Sequence, residues 1–167
     1  FYTVKDLETL RSNKIKRWDA QVGIHELIFE EEDETFTCFV YKSKSRKYLM
    51  IGSSSTMADE HRFLAADNPT GAFQVIQPRE RGLEYSTSHF DDHFYIRTNA
   101  DGATNFKLVK APVESPSKEN WTEVIAHDEN ILFSDMELFK NCLVTEERSN
   151  GLVRIRIQPW GGESYYL

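Results

Sequence analysis

Short apolar runs separated by polar turns fill the chain, and a helical period is almost absent from it. Residues 93–99, His-Phe-Tyr-Ile-Arg-Thr-Asn, are typical. That run is too short for a helix and is rich in aromatic and β-branched residues. Alternation is clearest at residues 153–157, where Val, Ile and Ile alternate with two arginines. Only residues 9–17 are ambiguous between helix and strand, so the pattern predicts an all-β protein.

The run at residues 93–99 has counterparts at a nearly constant spacing. Residues 47–53 lie 46 positions upstream, residues 141–147 lie 48 downstream, and residues 1–5 match once more. Three isoleucines hold equivalent closing positions, 48 and 49 residues apart: Ile28, Ile76 and Ile125. Self-similarity with a period of about 20 to 50 residues indicates a repeat architecture.

Each repeat contains short predicted strands in the same order. The predicted strands are 1–4, 14–19, 25–30, 36–41, 48–51, 61–67, 73–78, 83–88, 94–99, 105–110, 121–127, 131–139, 142–146, 152–158 and 163–167. Four antiparallel strands per repeat favour propeller blades, whereas a sandwich or barrel would not give this internal likeness. The sequence predicts a partial β-propeller of about three and three-quarter blades, whereas a closed propeller has roughly four to eight blades. The predicted blades span 1–33, 34–80, 81–129 and 130–167.

Composition and charge narrow the class of protein. The 167 residues, 40% of them apolar and 13% aromatic, fit one globular domain. A formal net charge of −7 argues against a nucleic-acid surface. No apolar run is long enough to span a membrane. The first residues lack an initiator Met and a signal-peptide pattern, which suggests a piece of a longer protein.

Residue type predicts the state of the two cysteines and the role of one acidic cluster. Cys38 and Cys142 lie in strand-like segments, where buried free thiols are favoured over a disulfide, as in a reducing cytoplasm. The acidic cluster at residues 30–34 is expected to keep a loop hydrated.

Motifs that could carry chemistry are weak. Residues 52–56, Gly-Ser-Ser-Ser-Thr, lack the final glycine of a nucleophile elbow, so a polar loop is favoured. His89 and His93 flank a predicted hairpin turn rather than sharing a helix face, which disfavours a metal site. The Trp-Asp dipeptide at residues 18–19 does not repeat in the other units. The sequence therefore predicts no catalytic, cofactor-binding or metal-binding residue.

Strand and turn segments along essentially the whole chain resemble one known family. The segments are 1–3, 10–11, 47–49, 53–55, 77–85, 94–99, 105–108 and 148–152. Together they resemble the propeller of oligopeptidase B, or protease II, in the prolyl oligopeptidase family of serine peptidases.

The resemblance implies a cytosolic peptidase with a seven-bladed propeller and a separate α/β-hydrolase domain that carries a Ser-Asp-His triad. Such an enzyme cleaves short peptides after Arg or Lys, and its propeller acts as a lid. No triad residue can be placed on this sequence. The expected partners are therefore the protein's own hydrolase domain and short basic peptides, with no cofactor, nucleic acid or membrane. Open blade edges also suggest self-association. The alternative is a self-standing β-propeller scaffold for protein–protein interactions.

Overall fold

The structure, a computed structural model, describes residues 1–167 and consists of strands and two 3-10 turns. The strands are β1 (Tyr2–Lys5), β2 (Ser12–Asp19), β3 (Ile24–Glu30), β4 (Thr37–Lys42), β5 (Tyr48–Ser54), β6 (Asp59–Ala65), β7 (Gln74–Gln77), β8 (Tyr85–Phe90), β9 (His93–Thr98), β10 (Lys107–Pro112), β11 (Thr122–Ile125), β12 (Leu132–Leu138), β13 (Cys142–Ser149), β14 (Leu152–Pro159) and β15 (Tyr165–Tyr166). The 3-10 turns span Ala100–Gly102 and Lys118–Asn120. Neither is a helix with the length and apolar character needed to cross a membrane.

The strands form four antiparallel sheets in which each strand pairs with its neighbour along the chain. The orders are β1-β2-β3, β4-β5-β6-β7, β8-β9-β10-β11 and β12-β13-β14-β15. The recurring apolar runs form the second strand of the three four-stranded sheets, and β1 opens the three-stranded sheet. This arrangement confirms the predicted all-β, partial-propeller fold, because a meander of about four strands is one propeller blade.

The chain divides into two compact units, Phe1–Gly82 and Leu83–Leu167, each made of two sheets. In the first unit, a core cluster joins the two sheets through Ile15, Cys38 and Ile51. In the second unit, the corresponding cluster contains Tyr95, Leu108, Phe133, Met136, Leu138 and Leu143. Each pair of sheets therefore buries a core cluster of its own.

A β-bulge recurs in the last strand of the first three sheets. In the first sheet, Ile15 pairs with Phe29 and Lys16 with Leu27, so Ile28 has no direct partner. The equivalent unpaired residues in β7 and β11 are Ile76 and Val124. The backbone repeat is therefore 48 residues twice, and the predicted equivalence of Ile125 is wrong by one position. In the third sheet the side chain that packs on the core is Ile125, one position after the unpaired Val124, which is exposed.

The ambiguous segment at residues 9–17 is not helical. The Oδ1 atom of Asp6 accepts hydrogen bonds from the backbone amides of Glu8 and Thr9, which closes a turn. Leu10 then takes a positive φ of 58°, and β2 begins at Ser12. A side-chain-capped turn of this kind satisfies the local backbone donors without a helix.

Candidate functional site

The serine-rich segment that resembled a nucleophile elbow lies inside a strand. Residues 52–54 belong to β5, and Ser53 is fully buried between Cys38 of β4 and Glu60 of β6. The expectation of a loop there is therefore wrong, because the turn begins only at Ser55, whose Oγ accepts from the Ala58 amide. A Cβ atom on Gly52 would lie 2.4 Å from the ring of Phe39, so the ring packs over the glycine and would have to shift if a larger residue stood there.

The two spaced histidines flank the predicted hairpin. His89 pairs with Phe94, and His93 pairs with Phe90, across a turn in which Asp91 has a φ of 55°. The His89 ring is buried edge-on against Phe94, with ring centroids 5.6 Å apart. The structure contains no group of three or more His, Cys, Asp or Glu side chains arranged to hold a metal ion.

Both cysteines are free, as residue type suggested. Cys38 is buried in the core of the first unit, and Cys142 is half-buried at the start of β13. Burial, followed by the nearby Glu31 carboxylate, raises the pKa of the Cys38 thiol to about 11. Cys38 therefore behaves as a small apolar side chain rather than as a nucleophile.

The acidic cluster at residues 30–34 does not simply hydrate a loop. Glu31 is only 4% exposed, and the Arg79 guanidinium binds its carboxylate with both Nη atoms, at 3.2 and 2.6 Å. The expectation is wrong for this residue because its backbone amide extends the sheet by donating to Asn13 O, which turns its side chain inward. Glu32 and Glu34 are exposed, as expected.

A second buried carboxylate shares the same arginine. Glu60 Oε2 accepts from the Arg79 amide at 3.0 Å, and its Oε1 lies 3.2 Å from Arg79 Nη2 and 2.5 Å from Arg62 Nη2. We call Glu31, Glu60, Arg62 and Arg79 the first-unit ion network. It balances two buried carboxylates with two guanidinium groups, as buried charges require.

The network also fixes the ionisation of its members. Burial alone would raise the pKa of Glu31, but hydrogen bonds led by that from Arg79 outweigh it and hold the pKa below the ordinary 4.5. The guanidinium of Arg79 stacks over Phe36 at 4.0 Å, and that of Arg62 over Phe29 at 4.4 Å. No sequence signal joined these residues, because Glu31 and Arg79 are 48 positions apart, one repeat, in segments that look like ordinary polar turns.

The second unit holds one buried carboxylate, and it is satisfied differently. Glu147 is 3% exposed and accepts hydrogen bonds from the hydroxyls of Thr145, at 2.8 Å, and Tyr166, at 2.7 Å. Arg156 Nη1 lies 3.7 Å from Glu147 Oε1, which is an ion pair but too long for a hydrogen bond. The hydrogen bond to Glu147, with burial, raises the pKa of Tyr166 above 10.0.

Each unit also has a cavity beside its bulged outer strand. The first cavity, about 360 Å³, lies in the first unit. It is lined by Arg17, Glu26, Leu27, Ile28, Phe29, Ile51, Arg62, Thr70, Gly71, Ala72 and Phe73. The second cavity, about 340 Å³, lies in the second unit. It is lined by Phe106, Val124, Ile125, Ala126, His127, Asp128, Ile131, Phe133, Glu147 and Arg156. Both are of a size that can hold a small ligand.

Comparison with known proteins gives one consistent result. The family model described as prolyl oligopeptidase, N-terminal beta-propeller domain, matches residues 1–165. Dipeptidyl aminopeptidase BI of Pseudoxanthomonas mexicana is 40% identical over 169 aligned positions, which cover 100% of this chain and 23% of that protein.

Two solved structures of oligopeptidase B are also similar to the chain. The enzyme from Leishmania major superposes with a TM-score of 0.86 at 31% identity, covering 99% of this chain and 24% of that one. The enzyme from Trypanosoma brucei, with covalently bound antipain in a closed form, gives 0.85 at 26% identity, with the same coverage. The chain therefore spans about a quarter of the length of these relatives.

Proposed function

Because the chain belongs to the prolyl oligopeptidase family, as its N-terminal β-propeller domain, we propose that it is the propeller part of a serine oligopeptidase. The observation that carries the proposal is the match of the family model to residues 1–165. The superposition on oligopeptidase B over 99% of the chain supports it. In this proposal the α/β-hydrolase domain with the catalytic triad lies outside residues 1–167. The four sheets correspond to blades at 1–33, 34–80, 81–129 and 130–167.

The role proposed for these sheets is that of a lid. Each unit pairs two sheets around a core of its own, an arrangement better suited to a wall that excludes bulky substrates than to a reactive surface. The similar enzyme from Trypanosoma brucei adopts a closed form with covalently bound antipain. A propeller that closes over a catalytic domain would admit short peptides and exclude folded proteins.

The direct experiment compares the isolated chain with its full-length parent. The chain alone should not hydrolyse an N-blocked arginine amide, whereas the parent should. Turnover by the chain alone, lost on Ser54→Ala, would contradict the proposal. In that case Gly52–Ser55 would have to act as a nucleophile segment despite the burial of Ser53.

The substrate class has two candidates. The first is cleavage after Arg or Lys, which the family resemblance implies; the superposition on an oligopeptidase B supports the family and not the specificity. Removal of N-terminal dipeptides is the second candidate, because the 40%-identical relative is a dipeptidyl aminopeptidase. The parent should be tested on an N-blocked arginine amide and on a free-amine dipeptidyl amide. Preference for the blocked substrate supports the first candidate, and preference for the free amine supports the second.

A reducing, cytoplasmic setting is part of the proposal, because it fits the two free cysteines.

Self-association of the isolated chain is a further part of the proposal. β1 is an edge strand, and apolar side chains such as Leu152 and Val153 are exposed on β14. Open strand edges promote pairing between copies. Light scattering should show a mass above the 19.4 kDa monomer at high concentration, and a constant monomer mass would contradict self-association. The alternative of a self-standing scaffold is not favoured by the family match.

A further inference from the structure

The fourth sheet presents a copy of the face with which other sheets form their cores. In the third strand of the first and third sheets, the residues beside the bulge are Ile15 and Leu108, both fully buried in a core cluster. The equivalent residue of β14 is Ile155, 47 positions after Leu108. Ile155 pairs with Glu146, whose neighbour Thr145 faces the core of the second unit. Because side chains alternate along a strand, Ile155 lies on the opposite face of the sheet.

We call this outer surface of the fourth sheet the tail face. Its central residues are Val144, Glu146, Val153, Ile155, Ile157 and Tyr165. The side chains of Val153 and Tyr165 are 51% and 52% exposed. The tail face is therefore an apolar sheet surface that the second unit itself does not bury.

The first sheet has an exposed outer surface of its own, which we call the head face. Its central residues are Tyr2, Lys14, Lys16, Trp18, His25 and Leu27, which alternate with core-facing residues such as Ile15 or pair directly with one another. Trp18 is 55% exposed and stacks on His25, with ring centroids 6.3 Å apart. The hydroxyl of Tyr2 is hydrogen-bonded to His25 Nδ1 at 2.8 Å. Three aromatic rings are thus already ordered on this surface.

The repeat makes the head face the natural counterpart of the tail face. The second sheet packs on the first through Ile51, which pairs with Arg62. Tyr2 and Lys16 form the equivalent pair in the first sheet, because Lys16 and Arg62 hold the same place beside their bulges. The head face is therefore equivalent to the surface that the second sheet places against Ile15. The tail and head faces are the two halves of an interface that the chain already uses between its own sheets.

The charges of the two faces are complementary. The head face carries two lysines and one glutamate, and Lys14 is already paired with Glu30 at 3.1 Å, which leaves Lys16 as the excess charge. The tail face carries three exposed acids and one exposed arginine, namely Asp135, Glu137, Glu146 and Arg148. Opposite charges favour contact of a head face with a tail face over contact between two like faces.

We propose that the tail face of one molecule binds the head face of a second copy of this chain. The inference rests on the self-association part of the proposed function and names the surfaces that carry it. The contact is heterologous, since each molecule uses a different surface on each side. Trp18 is the expected anchor, because a partly exposed tryptophan in an apolar surface is a common centre of binding energy.

The test uses one variant that blocks each face. Trp18→Glu places a carboxylate on the head face, and Val153→Lys places an ammonium group on the tail face. Each variant alone should self-associate at least about tenfold more weakly than the unmodified chain, because its new charge would be buried against a like-charged surface. An equimolar mixture of the two should form a one-to-one heterodimer, since Trp18→Glu keeps its tail face and Val153→Lys keeps its head face. Sedimentation velocity measures all three samples against the 19.4 kDa monomer.

Matched controls lie on the opposite faces of the same two sheets. Ile24→Glu and Leu152→Lys alter residues that are 61% and 64% exposed and pair with Asp19 and Ser149. Both control variants should associate as the unmodified chain does. If a blocking variant does not fold, Lys16→Glu and Glu146→Lys provide the same mixture test by charge reversal.

The possible failures are distinguishable. A constant monomer mass of the unmodified chain up to about 1 mM would overturn both self-association and the proposal, and further sheets of a longer parent would then be the occupants of the two faces. Association that persists in Trp18→Glu and Val153→Lys would leave self-association standing at the β1 edge and overturn the assignment to the faces. A mixture that remains monomeric would overturn the contact between head and tail faces. None of these outcomes bears on the proposed lid.

Discussion

Each unit buries a glutamate, and the two units satisfy the charge of that buried carboxylate in different ways. In the first unit Arg79, one repeat away in sequence, binds Glu31 through two nitrogens and also binds Glu60. In the second unit two hydroxyls hold Glu147, and its arginine remains at 3.7 Å. The repeat therefore dictates backbone pairing but not the means by which buried charge is satisfied. The two units should differ in their response to mutation, pH and chemical modification.

The largest expected difference concerns the arginines. Arg79→Met leaves two buried carboxylates without their shared partner and should destabilise the first unit by about 3 kcal/mol. The matched Arg156→Met should cost the second unit about 1 kcal/mol, because Glu147 keeps both hydroxyl donors. Hydrogen exchange of the amides in β3 and in β13 measures the two units separately. Equal losses of stability in the two variants would contradict the view that arginine satisfies the buried carboxylates of the first unit and hydroxyls satisfy that of the second.

A second substitution should destabilise the second unit and leave the first unchanged. Thr145→Val removes a hydroxyl that is 1% exposed and leaves one oxygen of Glu147 without its hydrogen bond. It should destabilise the second unit by about 1 to 3 kcal/mol and leave the first unit unchanged. The measurement is again exchange of the amides in β13, with Thr122→Val on exposed β11 as the control. A loss no greater than that of the control would mean that Thr145 does not support Glu147.

Acid should affect the first unit before the second. The folded pKa of Glu31 lies below its ordinary value of 4.5, so the stability gained from its ionised form is present above that value. It is lost as the pH falls below 4.5 through the folded pKa. The protection factors of the amides in β3, followed from pH 6 downward, should fall before those in β13. Glu31→Gln should abolish this early phase, and its persistence in the variant would assign it to another group.

Alkali should affect the second unit. The pKa of Tyr166 is raised by its hydrogen bond to Glu147, and burial raises that of Tyr95. Stability linked to a raised pKa is present below the ordinary value of 10.0 and is lost as the pH rises through the folded pKa. Tyrosinate absorbance should therefore show a late-titrating fraction that shrinks in Tyr166→Phe. An identical titration in that variant would contradict the contribution of Tyr166.

The smallest effect concerns the two cysteines, one in each unit. Iodoacetamide at neutral pH should modify half-buried Cys142 faster than Cys38, because Cys38 is 1% exposed and has a pKa of about 11. Peptide mapping after timed alkylation gives the two rates, and Cys142→Ser should leave a chain that reacts slowly. Faster labelling of Cys38 would show that the first unit opens more readily than its buried ion network implies.

Much of the fold could be predicted from the sequence because strand length, alternation and turn residues are local signals. The hairpin at Asp91 and the second-strand position of residues 93–99 follow from such signals. The extension of β5 through Ser53 could not be predicted, because a small polar residue resembles a loop until its cross-strand neighbours are known.

The site could not be predicted for a related reason. The pairing of Glu31 with Arg79 depends on a contact between segments that follow different sheets. Acidic and basic residues in turns usually face solvent, so residue type favoured a hydrated loop at Glu31. Only the approach of two repeats in space reverses that expectation.

The proposal that this propeller segment serves as the lid of a peptidase can be tested in the full-length parent. The measurement is the ratio of cleavage rates for one arginine site placed in a short peptide and in a long unfolded polypeptide. It is made on the parent and on its hydrolase part expressed without the propeller, and a small arginine amide confirms that the active site is intact in both. If the propeller is a lid, the parent should strongly prefer the short peptide, and this preference should be lost without the propeller. The same ratio in both proteins would contradict it.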